Sequence, residues 1–84
     1  MKISVDISMY PLKSEFEKPI AAFIEALAKE RTVNIVCTEL STQIYGEYDT
    51  VMNLLNREIK AVFEKIPQSV FVIKLVGEDR KGCF

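Results

Sequence analysis

The 84-residue sequence contains no histidine or tryptophan, only two cysteines, three glycines and three prolines. Without histidine it lacks the imidazole that many nucleophilic and metal-dependent enzymes use as base or ligand. Cys37 and Cys83 are too far apart for a Cys-x-x-Cys motif. We expect two reduced thiols, although a single structural disulfide is the alternative. The sequence therefore predicts no catalytic residue, no metal site and no cofactor.

An excess of charge of one sign is also lacking. The sequence has eleven basic and twelve acidic residues, which gives a formal net charge of −1. Proteins that bind nucleic acid or anionic membranes need a basic surface, so neither partner is expected. No segment approaches the roughly 18 apolar residues of a membrane helix, and Asp6 interrupts the N-terminal apolar pattern where a signal peptide would need a continuous block. We expect a cytoplasmic protein.

What the sequence does contain is a regular succession of strand and helix patterns. Apolar residues alternate with polar ones in the first segment, and two later segments have helical apolar stripes. Ser14 and Glu17 have capping-box spacing, but Pro19 is tolerated only in a first turn, so the regular helix should begin near Glu17 or Lys18. The predicted elements are a strand over Lys2–Tyr10, a helix over Ser14–Glu30, strands over Val33–Thr38 and Ser41–Tyr45, a helix over Glu47–Lys65 and a strand over Ser69–Val76.

This order predicts a single domain over residues 1–84. Its fold class is α+β, a ferredoxin-like βαββαβ sandwich in which two helices cover one face of a four-stranded antiparallel sheet. The tail from Gly77 onward is charged, and we expect it to be loose.

The last strand is apolar on both of its faces. Phe71, Ile73 and Leu75 alternate with Val70, Val72 and Val76. Because two helices can cover only one face of a sheet, the other would expose an apolar patch. We therefore expect a homo-oligomer, a dimer or a tetramer, that assembles through the sheet face. The alternative is a half-exposed sheet with scattered apolar residues.

Polar and aromatic residues gather near the ends of the first and third strands. Hydroxyl, carboxylate and phenol groups suit hydrogen bonding and stacking on a small flat ligand. We expect them to converge where strands one and three end and the second helix begins. Taken singly, each also fits an exposed strand residue, an interface rim or a first-turn acid. The candidate ligand-binding residues are Ser8, Tyr10, Thr38, Thr42, Tyr45 and Glu47.

Several segments together carry a family resemblance: Ile7–Leu12, Lys18–Leu27, Ser41–Met52 and Val72–Arg80. In their order and spacing the sequence resembles the YkoF-like family of thiamine- or hydroxymethylpyrimidine-binding proteins. The resemblance implies a ferredoxin-like fold, dimers and tetramers, and binding without established catalysis. It places Ser8 and Tyr10 in the family's first-strand motif, and Thr42, Ile44, Gly46 and Glu47 in the third-strand turn.

The function expected from residues and resemblance together is non-catalytic binding of thiamine or its hydroxymethylpyrimidine moiety, in thiamine supply or transport. A different class remains open: a regulatory or scaffolding domain that binds another protein. A third hypothesis is a small isomerase-like enzyme with a carboxylate base such as Glu47. Because the sequence has no basic cluster, we expect unphosphorylated ligands to be preferred over diphosphates.

Overall fold

The computed structural model of the chain describes residues 1–82, and these form one antiparallel sheet with a layer of helices. The strands lie in the order β2-β3-β1-β4, and every neighbouring pair is antiparallel. The predicted ferredoxin-like α+β fold is therefore confirmed. The elements are β1 (Lys2–Pro11), α1 (Glu17–Ala28), β2 (Asn34–Cys37), β3 (Thr42–Glu47), α2 (Tyr48–Lys65) and β4 (Ser69–Val76).

The core lies between the helices and the central strands. The period of two in β1 is confirmed, because its apolar residues Ile3, Val5, Ile7 and Met9 are all buried. Ile44 of β3 is fully buried beside Val5, its partner across the strands. The helices complete the core with Phe23 and Leu27 from α1 and with Val51, Leu54 and Leu55 from α2. Neither helix within residues 1–82 is long and apolar enough to cross a membrane.

Helix α1 begins at Glu17, as Pro19 predicted, but without the capping box expected from Ser14 and Glu17. The residue before the helix is Phe16, and no side chain caps it. Pro19 occupies the third helical position, where it supplies no backbone N–H. In a capping box, the side chain of the residue before the helix accepts a hydrogen bond from the N–H of the third helical residue. Because Pro19 has no N–H, a side chain at position 16 could not make that hydrogen bond.

The face of the sheet that the helices leave uncovered, here called the open face, carries Lys2, Ser4, Asp6, Ser8 and Tyr10 of β1 with their cross-strand partners. Its middle is polar, because Asp6 lies between Gln43 of β3 and Lys74 of β4. One end is covered: Ser4 is buried although it lies on this face.

The covering segment is the C-terminal tail. The Ser4 hydroxyl donates to the carbonyl of Glu78 at 2.8 Å and accepts from the backbone N–H of Arg80 at 2.7 Å. The expectation of a loose tail is therefore wrong for residues 78–80, because one hydroxyl fastens the chain at two points. Cys37 is exposed at the end of β2, while Cys83, and with it the expected pair of thiols, lies outside the described residues.

Candidate functional site

A groove opens between the end of β1, the connection from β2 to β3 and the start of α1, and we call it the hairpin groove. Its volume is about 410 Å³. Its floor is apolar and includes Ile7, Met9, Ile20 and Phe23. Large apolar side chains also stand at its mouth, where Leu12, Phe16 and Leu40 are exposed, the last at 89% of its surface. The polar lining residues are Ser8, Tyr10, Thr38, Glu39, Ser41 and Thr42.

The groove brings together four of the six predicted ligand-binding residues: Ser8, Tyr10, Thr38 and Thr42. Tyr45 and Glu47 lie at the opposite end of β3, where they pair with Ser4 and Lys2 of β1. Ser4 and Ser8 are four positions apart along β1, which corresponds to a distance of about 13 Å along the strand. The expected convergence of all six residues is wrong, because antiparallel pairing places the end of β1 beside the start of β3.

Thr38 holds the connection between β2 and β3 in shape. Its hydroxyl accepts from the N–H groups of Leu40 at 3.2 Å and Ser41 at 3.1 Å, and it donates to the carbonyl of Ser41 at 3.1 Å. With its donor and two acceptor positions engaged, this hydroxyl is committed to the turn. Thr38 therefore positions Glu39 and Leu40 at the groove.

Two contacts fasten the same connection to β1. The Ser41 hydroxyl donates to the carboxylate of Asp6, and the Ser8 hydroxyl reaches the carbonyl of Leu40 at 3.5 Å. The Ser8 contact is long for an O–H···O hydrogen bond, so this hydroxyl can exchange it for a ligand at small cost. Thr42 is buried on the helix side beside Ile7, and Tyr10 is half-exposed at the end of β1.

The charge of the groove is simple. Among its lining residues, all within the described part of the chain, Glu39 alone is charged at neutral pH. A single carboxylate beside apolar and hydroxyl surface attracts an amino group or an organic cation, and it repels phosphate. The charge of the lining thus favours a neutral or cationic molecule over an anionic one.

Tyr45 and Glu47 line a second, charged cleft of about 490 Å³, together with Lys2, Arg31 and Lys81 among others. Their polar groups are engaged locally. The Tyr45 hydroxyl donates to Oε1 of Gln43 at 2.9 Å, and the exposed Glu47 carboxylate lies 3.2 Å from the N-terminal ammonium group. Both contacts stabilise the sheet end where α2 begins.

Sequence reasoning missed the apolar mouth of the groove. Leu12 and Leu40 lie outside regular elements, so no periodicity singles them out. Phe16 continues the apolar stripe of α1 by its spacing from Ile20, which predicts a core position and not the mouth of a groove. The signal that could have found them is compositional. Large apolar residues inside polar turns have no core position to occupy, and such residues commonly belong to a binding surface.

Comparisons with known proteins place the chain in a class. A family model described as thiamine-binding protein matches residues 5–82. The chain therefore belongs to the thiamine-binding protein family, and the resemblance inferred from the sequence is confirmed at that level. The match covers nearly the whole chain, including every strand and helix except the first residues of β1. A search among curated proteins finds no match.

Solved structures share the fold. A Thermotoga maritima protein, provisionally described as acting in thiamine biosynthesis or salvage, is 15% identical with a TM-score of 0.83, covering 100% of this chain and 89% of that one. A Streptococcus pneumoniae protein is 24% identical with a TM-score of 0.77, covering 93% and 89%. A hypothetical protein of Methanocaldococcus jannascii is 18% identical with a TM-score of 0.79, covering 93% and 81%.

Proposed function

We propose that this protein binds thiamine or its hydroxymethylpyrimidine moiety without catalysis, and that the hairpin groove is the binding site. The observation that carries the proposal is the composition of that groove: an apolar floor, several hydroxyl groups in its lining and Glu39 as the one charged residue among the described residues that line it. Membership of the thiamine-binding family supports a ligand of this class. A volume of about 410 Å³ suits a small molecule.

An aminopyrimidine matches this lining group by group. Its faces are flat and apolar, which suits stacking against Phe16 or Tyr10 at the mouth. Its exocyclic amino group is a donor for the Glu39 carboxylate, and its ring nitrogens are acceptors for a hydroxyl such as that of Ser8. The thiazolium cation of thiamine would be favoured by the Tyr10 ring and by the same carboxylate.

The missing positive charge sets a preference among ligands. A diphosphate needs Lys, Arg or a cluster of backbone N–H groups to replace its hydration. Among residues 1–82, none of those that line the groove has a basic side chain. Thiamine diphosphate should therefore bind more weakly than thiamine.

Calorimetric titration with thiamine, hydroxymethylpyrimidine and thiamine diphosphate tests the proposal directly. Phe16→Ala and Tyr10→Ala should each weaken binding by roughly two- to tenfold, because an aromatic face is worth about 0.5–1.5 kcal/mol beyond its burial. Glu47→Gln is the matched control, since Glu47 lies in the charged cleft. Binding that survives both aromatic variants but fails in Glu47→Gln would move the site to that cleft and refute the groove.

Three further parts of the proposal concern the protein's setting. We propose a role in thiamine supply or transport, a cytoplasmic location, and assembly of the chain into dimers or tetramers. The competing function is a regulatory or scaffolding domain, and the exposed apolar residues of β4 favour it. Absence of binding heat and of a thermal shift with all three compounds would favour that alternative.

A further inference from the structure

The charged cleft collects three cationic side chains from three separate parts of the chain. Lys2 begins β1, Arg31 lies in the connection from α1 to β2, and Lys81 follows β4 in the C-terminal tail. These residues are far apart in sequence, so they form no basic run. Antiparallel pairing brings them together at the end of the sheet where β1 and β2 begin and β3 ends.

The carboxylates of the cleft do not neutralise this positive charge by direct pairing. Within residues 1–82, none of the three cationic groups forms an ion pair. The two carboxylates of the lining have other partners. The Glu47 carboxylate lies 3.2 Å from the N-terminal ammonium group, and Oδ1 of Asp79 accepts from the backbone N–H of Lys81 at 3.0 Å. The ammonium and guanidinium donors of the cleft are therefore available to a ligand.

The position of Lys81 depends on the contacts of Ser4 with the tail. The Ser4 hydroxyl holds the carbonyl of Glu78 and the N–H of Arg80 at 2.8 and 2.7 Å, and Lys81 is the next residue. Ser4 pairs with Tyr45 of β3, which lines the cleft. The tail is therefore fastened beside the cleft, and this attachment brings the Lys81 side chain into its lining.

We propose that the charged cleft binds a phosphorylated small molecule, and that Lys2, Arg31 and Lys81 hold its phosphate. Phosphate oxygens accept strong hydrogen bonds from ammonium and guanidinium groups, and a planar guanidinium can donate two at once. Val33 and the ring of Tyr45 also line the cleft and offer apolar surface to the organic part of the ligand. A volume of about 490 Å³ has room for both parts.

The charged cleft and the hairpin groove favour ligands of opposite charge. Glu39 is the one charged residue among the described residues that line the groove, and it repels phosphate. The lining of the cleft has three cations and two carboxylates. About 13 Å of β1 separates Ser4 beside the cleft from Ser8 in the groove. The phosphate site is therefore distinct from the proposed thiamine site, and it does not rest on what the groove binds.

Calorimetric titration with pyrophosphate at low ionic strength tests the site, because this probe has phosphate groups and no ring. We expect one saturable site per chain, with an affinity that falls as salt is added. Arg31→Gln and Lys81→Ala should each weaken binding by roughly two- to fivefold, the upper part of the range for an exposed charge pair, since pyrophosphate carries several charges. Glu47→Gln should strengthen binding by a similar factor, because it removes a repelling carboxylate. Lys60→Ala and Glu64→Gln, at exposed positions nearer the other end of α2, are the matched controls and should change nothing.

A double variant tests the part played by the tail. Ser4→Ala should release residues 78–80 and with them Lys81, so adding Lys81→Ala to that variant should have no further effect on pyrophosphate binding. Circular dichroism should show every variant folded, because the charged positions are exposed.

Absence of saturable binding to the parent protein would overturn the proposal. So would weaker binding in Glu47→Gln, controls that weaken binding as much as Arg31→Gln, or an equal effect of Lys81→Ala with and without Ser4→Ala. If thiamine binds while pyrophosphate does not, the phosphate site alone is refuted and the function proposed for the groove stands.

Discussion

The Ser4 hydroxyl offers the sharpest test of how the tail is held. It bridges the Glu78 carbonyl and the Arg80 N–H with bonds of 2.8 and 2.7 Å, and it is buried on an otherwise open face. Ser4→Ala keeps the strand and removes both contacts. We expect residues 78–80 to detach from the sheet while the rest of the fold remains.

The magnitude follows from the two bonds. A typical intramolecular hydrogen bond contributes about 0.5–1.5 kcal/mol net, so the pair has a ceiling of about 1–3 kcal/mol. The detached tail can hydrate Glu78 and Arg80, which limits the loss to the free energy that docks the tail. We therefore expect about 1–2 kcal/mol of destabilisation, a Tm lower by roughly 4–16 °C for a domain of this size.

Ser8→Ala is the matched control, since Ser8 lies on the same strand and face but makes only the 3.5 Å contact with Leu40. It should change stability by less than about 0.5 kcal/mol. Denaturant unfolding measures both variants, and hydrogen exchange reports the Arg80 amide directly. Equal stability of the two variants, or an Arg80 amide that remains protected in Ser4→Ala, would refute this account of the tail.

Three further predictions concern packing and charge. Gly46→Ala should cost about 1–3 kcal/mol in denaturant unfolding, because the new Cβ would lie 2.9 Å from Cγ1 of Val33 and 3.2 Å from Cγ2 of Val51. Leu27→Ala removes a fully buried side chain and should cost about 2–5 kcal/mol in the same assay. The Thr32 side-chain and backbone hydrogen bonds lower the pKa of Glu30 below 4.5, so Thr32→Ala should raise it in an NMR titration. Since the folded pKa is the lower one, this stabilisation is present above the unfolded pKa and is lost as pH falls through the folded pKa.

The long elements could be predicted because β1 and the two helices each have an unambiguous period. Strand β1 alternates without a break, and α2 keeps its apolar stripe over eighteen residues. The ends of β1 and α1, the start of α2 and the bounds of β2 and β3 differ from prediction by one or two residues. Differences of this size are ordinary at element ends. Local periodicity is sufficient for these features, since burial of one face is what creates the period.

The site could be predicted only in part because strand direction is not a local property. Ser8, Tyr10, Thr38 and Thr42 meet in the groove, since the end of β1 lies beside the start of β3. Residues in β3 five positions apart, Thr42 and Glu47, then fall at opposite ends of the sheet. Polar residues close in sequence can therefore belong to different clefts, and composition alone cannot separate them.

The same reasoning applies to the apolar residues on both faces of β4, because their exposure depends on where the strand lies in the sheet. Apolar residues on both faces of a central strand would be covered by the helices on one side and need a partner on the other. Strand β4 lies at an edge of the sheet instead, beyond the part that the helices cover. Ile73 and Leu75 on the helix side are therefore 39% and 54% exposed, close to the 49% of Val72 on the open face. The sheet order β2-β3-β1-β4 thus leaves apolar side chains exposed on both sides of β4, and the local pattern of apolar residues does not predict that order.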